Sequence, residues 1–146
     1  RSIGVSNFQV HHLERLARDT ETVPAVNQIE VHPYFTNDAV RAYGIEHTIL
    51  TEAWSPIAQG DVLDDPVVGQ IAQKVGKSPA QVVLRWHIER GDIVFPKSST
   101  PQRIKENIDI FDFELSDDQI DELTGLDKGE AGRRGPDPDT FDWIPK

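Results

Sequence analysis

The 146-residue sequence has no cysteine and no methionine. The first absence removes disulfides, thiolate metal sites and a cysteine nucleophile together. Positive charge is also scarce: 15 Lys+Arg stand against 25 Asp+Glu, a formal net charge of −10. No basic stripe exists to follow a phosphate backbone, so nucleic acid is not an expected partner. No apolar run approaches the roughly 18 residues of a membrane span, and no signal-peptide pattern opens the chain. The expectation is a cytoplasmic globular protein without a membrane partner. No initiator Met precedes Arg1, which leads us to expect a piece of a longer chain.

What is present is alternation. Apolar runs at residues 2–7, 25–31, 48–55 and 92–98 are separated by stretches with helical periodicity, the pattern of βα units and a parallel sheet. After the first run, Val10, Leu13, Leu16 and Ala17 recur at helical spacing. After the second, a helix opens near Thr36 or Asn37, either of which can cap it. Ser78-Pro79-Ala80-Gln81 predicts a helix start with a capping box and proline at the first position, and Gly91 stops that helix. Thr100-Pro101 opens another helix through Ile104, Asn107 and Ile108. Ser116 with Gln119 opens the last, where Asp117 and Asp118 suit the positive end of the dipole. Residues 127–146, rich in Gly, Pro and Asp, read as loop. Four βα units form either a small open sheet or half of an eight-stranded barrel, which takes about 250 residues when whole.

In both architectures ligands bind where the strands end. Those ends carry Ser6-Asn7, Asn27-Gln28 with Glu30, Trp54-Ser55 and Lys97-Ser98, polar and aromatic groups in place of the aliphatics of the strand bodies. Ser and Asn also favour turns on their own account. The segment Lys97-Ser98-Ser99-Thr100-Pro101-Gln102-Arg103 is the most specific. It delivers a lysine and several hydroxyls to a helix N-terminus, with an arginine on the first turn. Unpaired N–H groups, the helix dipole and a planar guanidinium together favour a phosphate, against the alternative of a solvated basic helix start. Trp54 can stack on a planar ring or simply pack in the core; Trp86, on an apolar helix face, belongs to the core. His11, His12, His32, His47 and His87 show no i,i+4 pair, so no metal site is expected. His32, ahead of Pro33, reads as a residue that fixes a loop.

The motifs Ile3-Gly4-Val5-Ser6-Asn7-Phe8, Pro24-Ala25-Val26-Asn27-Gln28-Ile29-Glu30, Glu52-Ala53-Trp54-Ser55-Pro56, Gly76-Lys77-Ser78-Pro79-Ala80-Gln81 and Phe95-Pro96-Lys97-Ser98 resemble, in order, the aldo-keto reductases. Within that family the chain is most similar to the bacterial 2,5-diketo-D-gluconate reductases, where Trp rather than Tyr stands at position 54. The resemblance implies an α/β fold, a (β/α)8 TIM barrel, of which residues 1–146 form the carboxyl-terminal half with strands five to eight. The N-terminal half is then a required partner.

It also implies NADPH as cofactor. Ser6, Asn7 and Gln28 would hold the nicotinamide carboxamide, and Trp54 would stack on its ring. Ser55, Ile57 and Gln59 would line the pyrophosphate, while Lys97, Ser98 and Arg103 would take the 2′-phosphate, flanked by Ser99 and Thr100. Glu106 and Asn107 would face the adenine. Thr100 stands where that branch commonly has Arg. The family's acid–base tyrosine and its Lys, Asp and His partners match nothing in this chain. The implied reaction is reduction of an aldehyde, ketone or keto-sugar acid to an alcohol. The readings set against it are a catalytically inactive half-barrel and a regulatory nucleotide-binding module. Phe141 to Trp143 is expected to contribute to the substrate pocket.

Overall fold

A computed structural model of the chain describes residues 1–142. Four parallel strands pair in the order in which they occur: β1 (Gly4–Ser6), β2 (Val26–Glu30), β3 (Leu50–Trp54) and β4 (Ile93–Val94). Ser6 stands opposite Gln28, Gln28 opposite Glu52, and Glu30 opposite Trp54. The sheet is wound in one direction, without the reversal of strand order that marks a doubly wound sheet. Sequential winding is the order found within a barrel.

Every strand is shorter than the apolar run that predicts it, and the backbone supplies the reason. Thr48 has a left-handed conformation (φ 60°), so the β3 ladder begins at Leu50. Asn7 (φ 58°) and Ser55 (φ 51°) turn the chain out of β1 and β3. Pro96 has no N–H to donate, and β4 ends at Val94 instead of reaching Ser98.

The helices are α1 (Val10–Asp19), α2 (Asp38–Glu46), α3 (Pro66–Val75), α4 (Pro79–Glu89), α5 (Pro101–Ile108) and α6 (Asp117–Thr124), with 3₁₀ segments at Ala58–Asp64 and Gly129–Gly132. The capping boxes at Ser78/Gln81 and Ser116/Gln119 both form. Asn37 does occupy the N-cap of α2, but it is left-handed and its amide donates to the Glu30 carbonyl at 3.2 Å instead of capping the helix. Helix α3 lies in a stretch to which the sequence reading gave no helix. Asp65 accepts from the Val67 N–H at its start, and Gly76 (φ 68°) ends it.

Helix α4 is the centre of the packing. Residues 81–87 are buried on every side, because the helix touches α3, α5, α6 and β4 at once. Val82, Val83 and Trp86 meet Val68, Ile71 and Leu123 in one cluster with Ile29 and Ala53 of the sheet. Trp86 is in the core, as its helix face predicts, and its indole donates to Thr124 Oγ1 at 3.0 Å. Among the described residues no helix is long and apolar enough to cross a membrane.

Candidate functional site

The carboxyl ends of the strands meet in one polar row. Ser6 Oγ donates to the Gln28 carbonyl at 3.3 Å, and the Asn7 N–H donates to the same carbonyl at 2.8 Å. The Gln28 amide donates to Glu52. Buried Asn27 clamps the chain after β1: its Nδ2 donates to the Phe8 carbonyl at 2.8 Å, and its Oδ1 accepts the Phe8 N–H at 3.3 Å. The Trp54 indole donates to Asn7 Oδ1 at 2.8 Å, so β1 and β3 are tied at their ends and the indole plane is fixed. Ser6, Asn7, Phe8, His12 and Trp54 line a cavity of about 280 Å³ that Pro136, Pro138 and Phe141 close from the other side. Phe141, expected at the substrate pocket, lines this cavity, and Trp143 lies outside the described residues.

The segment after β3 is strained. Ser55, Ala58 and Gln59 are all left-handed without being glycine (φ 51°, 49° and 58°), a conformation that persists only where neighbours enforce it. One such neighbour is His87. Its Nε2 lies 3.0 Å from the Pro56 carbonyl and its Nδ1 lies 2.9 Å from Asp92 Oδ2. Asp92 Oδ1 accepts from Arg41 Nε at 3.0 Å and from Arg41 Nη2 at 2.8 Å. Burial works against the Asp92 carboxylate, but His87 and Arg41 more than offset it and hold its carboxyl below the usual range. Burial pushes the His87 imidazole down, against the pull of Asp92. Of the residues expected along a pyrophosphate, Gln59 is exposed and Ile57 packs against the core.

The predicted phosphate end lies apart from this cavity. Lys97 and Arg103 are exposed around the start of α5, and neither has a carboxylate partner among the described residues. Ser98 Oγ accepts the Thr100 N–H at 3.3 Å. Thr100 holds the N-cap position without a side-chain cap bond. Glu106 accepts from Gln102 at 2.8 Å, whereas Ser98 and Asn107 line a second, apolar groove with Val94, Phe95, Ile104 and Phe111. Ser6, Asn7 and Trp54 are thus brought together, whereas Lys97 and Arg103 lie exposed around the start of α5 and Asn107 lines the apolar groove.

Two features were not anticipated. Glu30 is buried, and its carboxylate accepts from the Arg134 N–H at 2.6 Å, the Gly135 N–H at 2.9 Å and His32 Nε2 at 2.9 Å. Burial favours the neutral acid, but these contacts outweigh it and hold the Glu30 carboxyl below its usual range. The strand-end position of Glu30 was legible; its main-chain partners at Arg134 and Gly135, 104 and 105 residues away, were not. Second, His11, His12 and Asp139 bring one ligand atom each within 4.8 Å of one another. His12 Nδ1 accepts the Gln9 N–H at 3.1 Å, which leaves the proton on Nε2, 3.7 Å from Asp139. That tautomer donates to a carboxylate and does not ligate a metal.

Comparison with known proteins fits this geometry. The model of the "Aldo/keto reductase family" matches residues 1–128. Methylglyoxal reductase DkgA of Escherichia coli (strain K12) is 50% identical over 143 residues, 97% of this chain and 51% of that protein. Glyoxal reductase of Bacillus subtilis (strain 168) is 53% identical over 139 residues, 95% of this chain and 50% of that protein. A crystal structure of a Gox0644 variant in complex with NADPH superposes with a TM-score of 0.94 at 48% identity, covering 97% of this chain and 52% of that one. This chain belongs to the aldo/keto reductase family, and it spans about half the length of the curated relatives it matches.

Proposed function

We propose that this chain is the carboxyl-terminal, cofactor-holding half of a (β/α)8 barrel, strands five to eight, in a cytoplasmic NADPH-dependent carbonyl reductase. The observation that carries the proposal is the pair Lys97 and Arg103. In a protein of net charge −10, two exposed cations flank a helix N-terminus with no carboxylate partner among the described residues, and such an arrangement selects a phosphate. The sequential strand order and the half-length match to the relatives support the barrel half.

The residues present fit the cofactor. The Trp54 plane is held by Asn7 at the mouth of the cavity, where it can carry a nicotinamide ring. Ser6 and the Asn7 and Gln28 amides supply hydrogen-bonding groups for its carboxamide. The backbone from Ser55 to Gln59, left-handed at Ser55, Ala58 and Gln59, would face a pyrophosphate. Lys97, Ser98 and Arg103 would hold the 2′-phosphate, with Ser99 and Thr100 beside them, and Glu106 and Asn107 would face the adenine. When bound, NADPH supplies the hydride. The chain's own groups orient the ring and shape the cavity in which a carbonyl meets it. The proton for the carbonyl oxygen would come from an acid–base tyrosine and its partners in the N-terminal half. The relatives named methylglyoxal reductase and glyoxal reductase suggest small aldehydes and α-dicarbonyls as substrates.

The test is Arg103→Ala in the full-length protein. Loss of a hydrogen bond to a charged group costs about 1.5–3 kcal/mol, so NADPH affinity should fall by that amount while NADH affinity changes far less. Fluorescence titration with both cofactors measures it, and equal losses for the two would refute the phosphate assignment.

A further inference from the structure

The wall opposite Trp54 comes from the far end of the chain. The segment from Asp127 onward is fastened first at the loop after β2, where Asp127 Oδ1 accepts the Thr36 N–H at 2.9 Å and the Lys128 N–H donates to the Tyr34 carbonyl at 3.0 Å. It then passes over the ends of β2 and β3. At that crossing one side chain meets it from below: Glu30, buried, with a separate oxygen for each of the Arg134 and Gly135 N–H groups. The fit leaves no room for a larger residue, because a Cβ on Gly135 would collide with the Trp54 ring. Beyond the crossing, Pro136, Pro138 and Phe141 close the cavity. Arg134 Nη2 also reaches Asp61 at 2.9 Å, and Asp139 lies 3.3 Å from His11.

A buried carboxylate is costly unless its oxygens are satisfied. Here the donors that satisfy Glu30 are the backbone of the strap itself, together with His32. Removing the strap would leave the charge with His32 as its remaining hydrogen-bond donor among the described residues. We propose that Glu30 is the positioning residue of the cavity: its carboxylate seats the 134–135 backbone against Trp54 and thereby builds the wall that a carbonyl substrate meets. Glu30 does not line the cavity and acts through the strap. The substrate role rests on the reductase reading; the seating of the strap does not.

The experiment uses the full-length protein, with Glu30→Gln, Glu30→Asp and Gly135→Ala. A glutamine keeps one acceptor oxygen and turns an N–H₂ toward the second donor, so it cannot serve both N–H groups. Hydrogen exchange of the Arg134 and Gly135 amides reports the seating directly. It should accelerate about tenfold or more in Glu30→Gln, as expected for N–H groups released to solvent. With methylglyoxal as the probe, KM should rise on the order of tenfold while NADPH affinity changes several-fold less; general damage to the fold would raise both alike. Glu30→Asp, one methylene shorter, should fall between wild type and Glu30→Gln. Gly135→Ala, whose Cβ would meet the Trp54 ring, should raise KM with the Glu30 carboxylate intact, and exchange at 134–135 in Glu30→Asp decides the seating should Glu30→Gln fail to fold. Unchanged exchange at 134–135 in Glu30→Gln overturns the proposal. Accelerated exchange with unchanged KM overturns the role of the strap as substrate wall. A wild-type protein that binds NADPH but reduces no methylglyoxal overturns the pocket assignment, and the exchange result still decides the seating by itself.

Discussion

Asp92→Ala tests the buried charge network behind the Ser55–Gln59 segment. Asp92 joins three elements: Arg41 on α2, His87 on α4, and its own position just before β4. Two of its contacts come from a guanidinium and one from an imidazole, all in a buried setting. Such a network is worth much less than the sum of its bonds, because the desolvation of the ions offsets most of the gain. Deleting one partner is different. Among the described residues Arg41 would keep only the Arg90 carbonyl at 3.1 Å and a distant Asp38 at 3.8 Å, and a stranded buried charge costs about 3–5 kcal/mol. Against a total stability of about 5–15 kcal/mol, that is a large share. With a urea m-value of about 2 kcal/mol/M, the unfolding midpoint should fall by about 1.5–2.5 M at pH 7.

The pH dependence has a definite sign. The Asp92 carboxyl is held down in the fold, so its contribution is full above the ordinary value of about 3.9 and fades as pH falls through the lower folded value. The His87 imidazole is also pushed down, so its contribution is full above about 6.5 and is lost as pH falls below it. Wild-type stability should therefore decline on the acid side from near pH 6.5, and the gap between wild type and Asp92→Ala should narrow below about pH 4. Pairing Asp92→Ala with Arg41→Met should cost less than the sum of the two alone. A midpoint shift under about 0.5 M, or simple additivity, would refute the account of this network as a paired buried charge cluster.

Two further outcomes concern the scaffold. Trp86→Ala removes the largest fully buried side chain among the described residues from the centre of the core and should cost about 3–5 kcal/mol in denaturant unfolding. Ser78→Ala breaks one half of the α4 capping box and should cost about 1 kcal/mol by the same measurement.

The sequence disclosed what is settled locally. Ser78 with Gln81 and Ser116 with Gln119 each place donor and acceptor three residues apart, and both boxes form as read. His32, read as a residue that fixes a loop, binds Glu30, which in turn holds the strap. The signals that begin and end α3 are equally local: Asp65 as N-cap ahead of Pro66, and left-handed Gly76 at the end. The length of β4 depended on Pro96, whose effect is visible in the sequence but easily overruled by a run such as Ile93-Val94-Phe95. The docking of residues 134–135 on Glu30 left no trace, because its donors are main-chain N–H groups and any residue type carries them. The left-handed Ala58 and Gln59 likewise arise from surroundings and not from preference.

The one-directional winding of the sheet also shapes how the chain can assemble. The first three strands meet across short spans of sequence, 22 residues from Ser6 to Gln28 and 24 from Gln28 to Glu52. The contact of Glu30 with Gly135 spans 105. With closure entropy growing as about (3/2)RT ln n, the longer span costs about 1.4 kcal/mol more than the shorter ones, and it returns hydrogen bonds only after β2 and β3 are in place to receive the strap. Folding should therefore run along the chain, unit upon unit, and finish with the strap. Its seating should be the last step in and the first step out, so the Arg134 and Gly135 amides should exchange faster than those of β2 and β3.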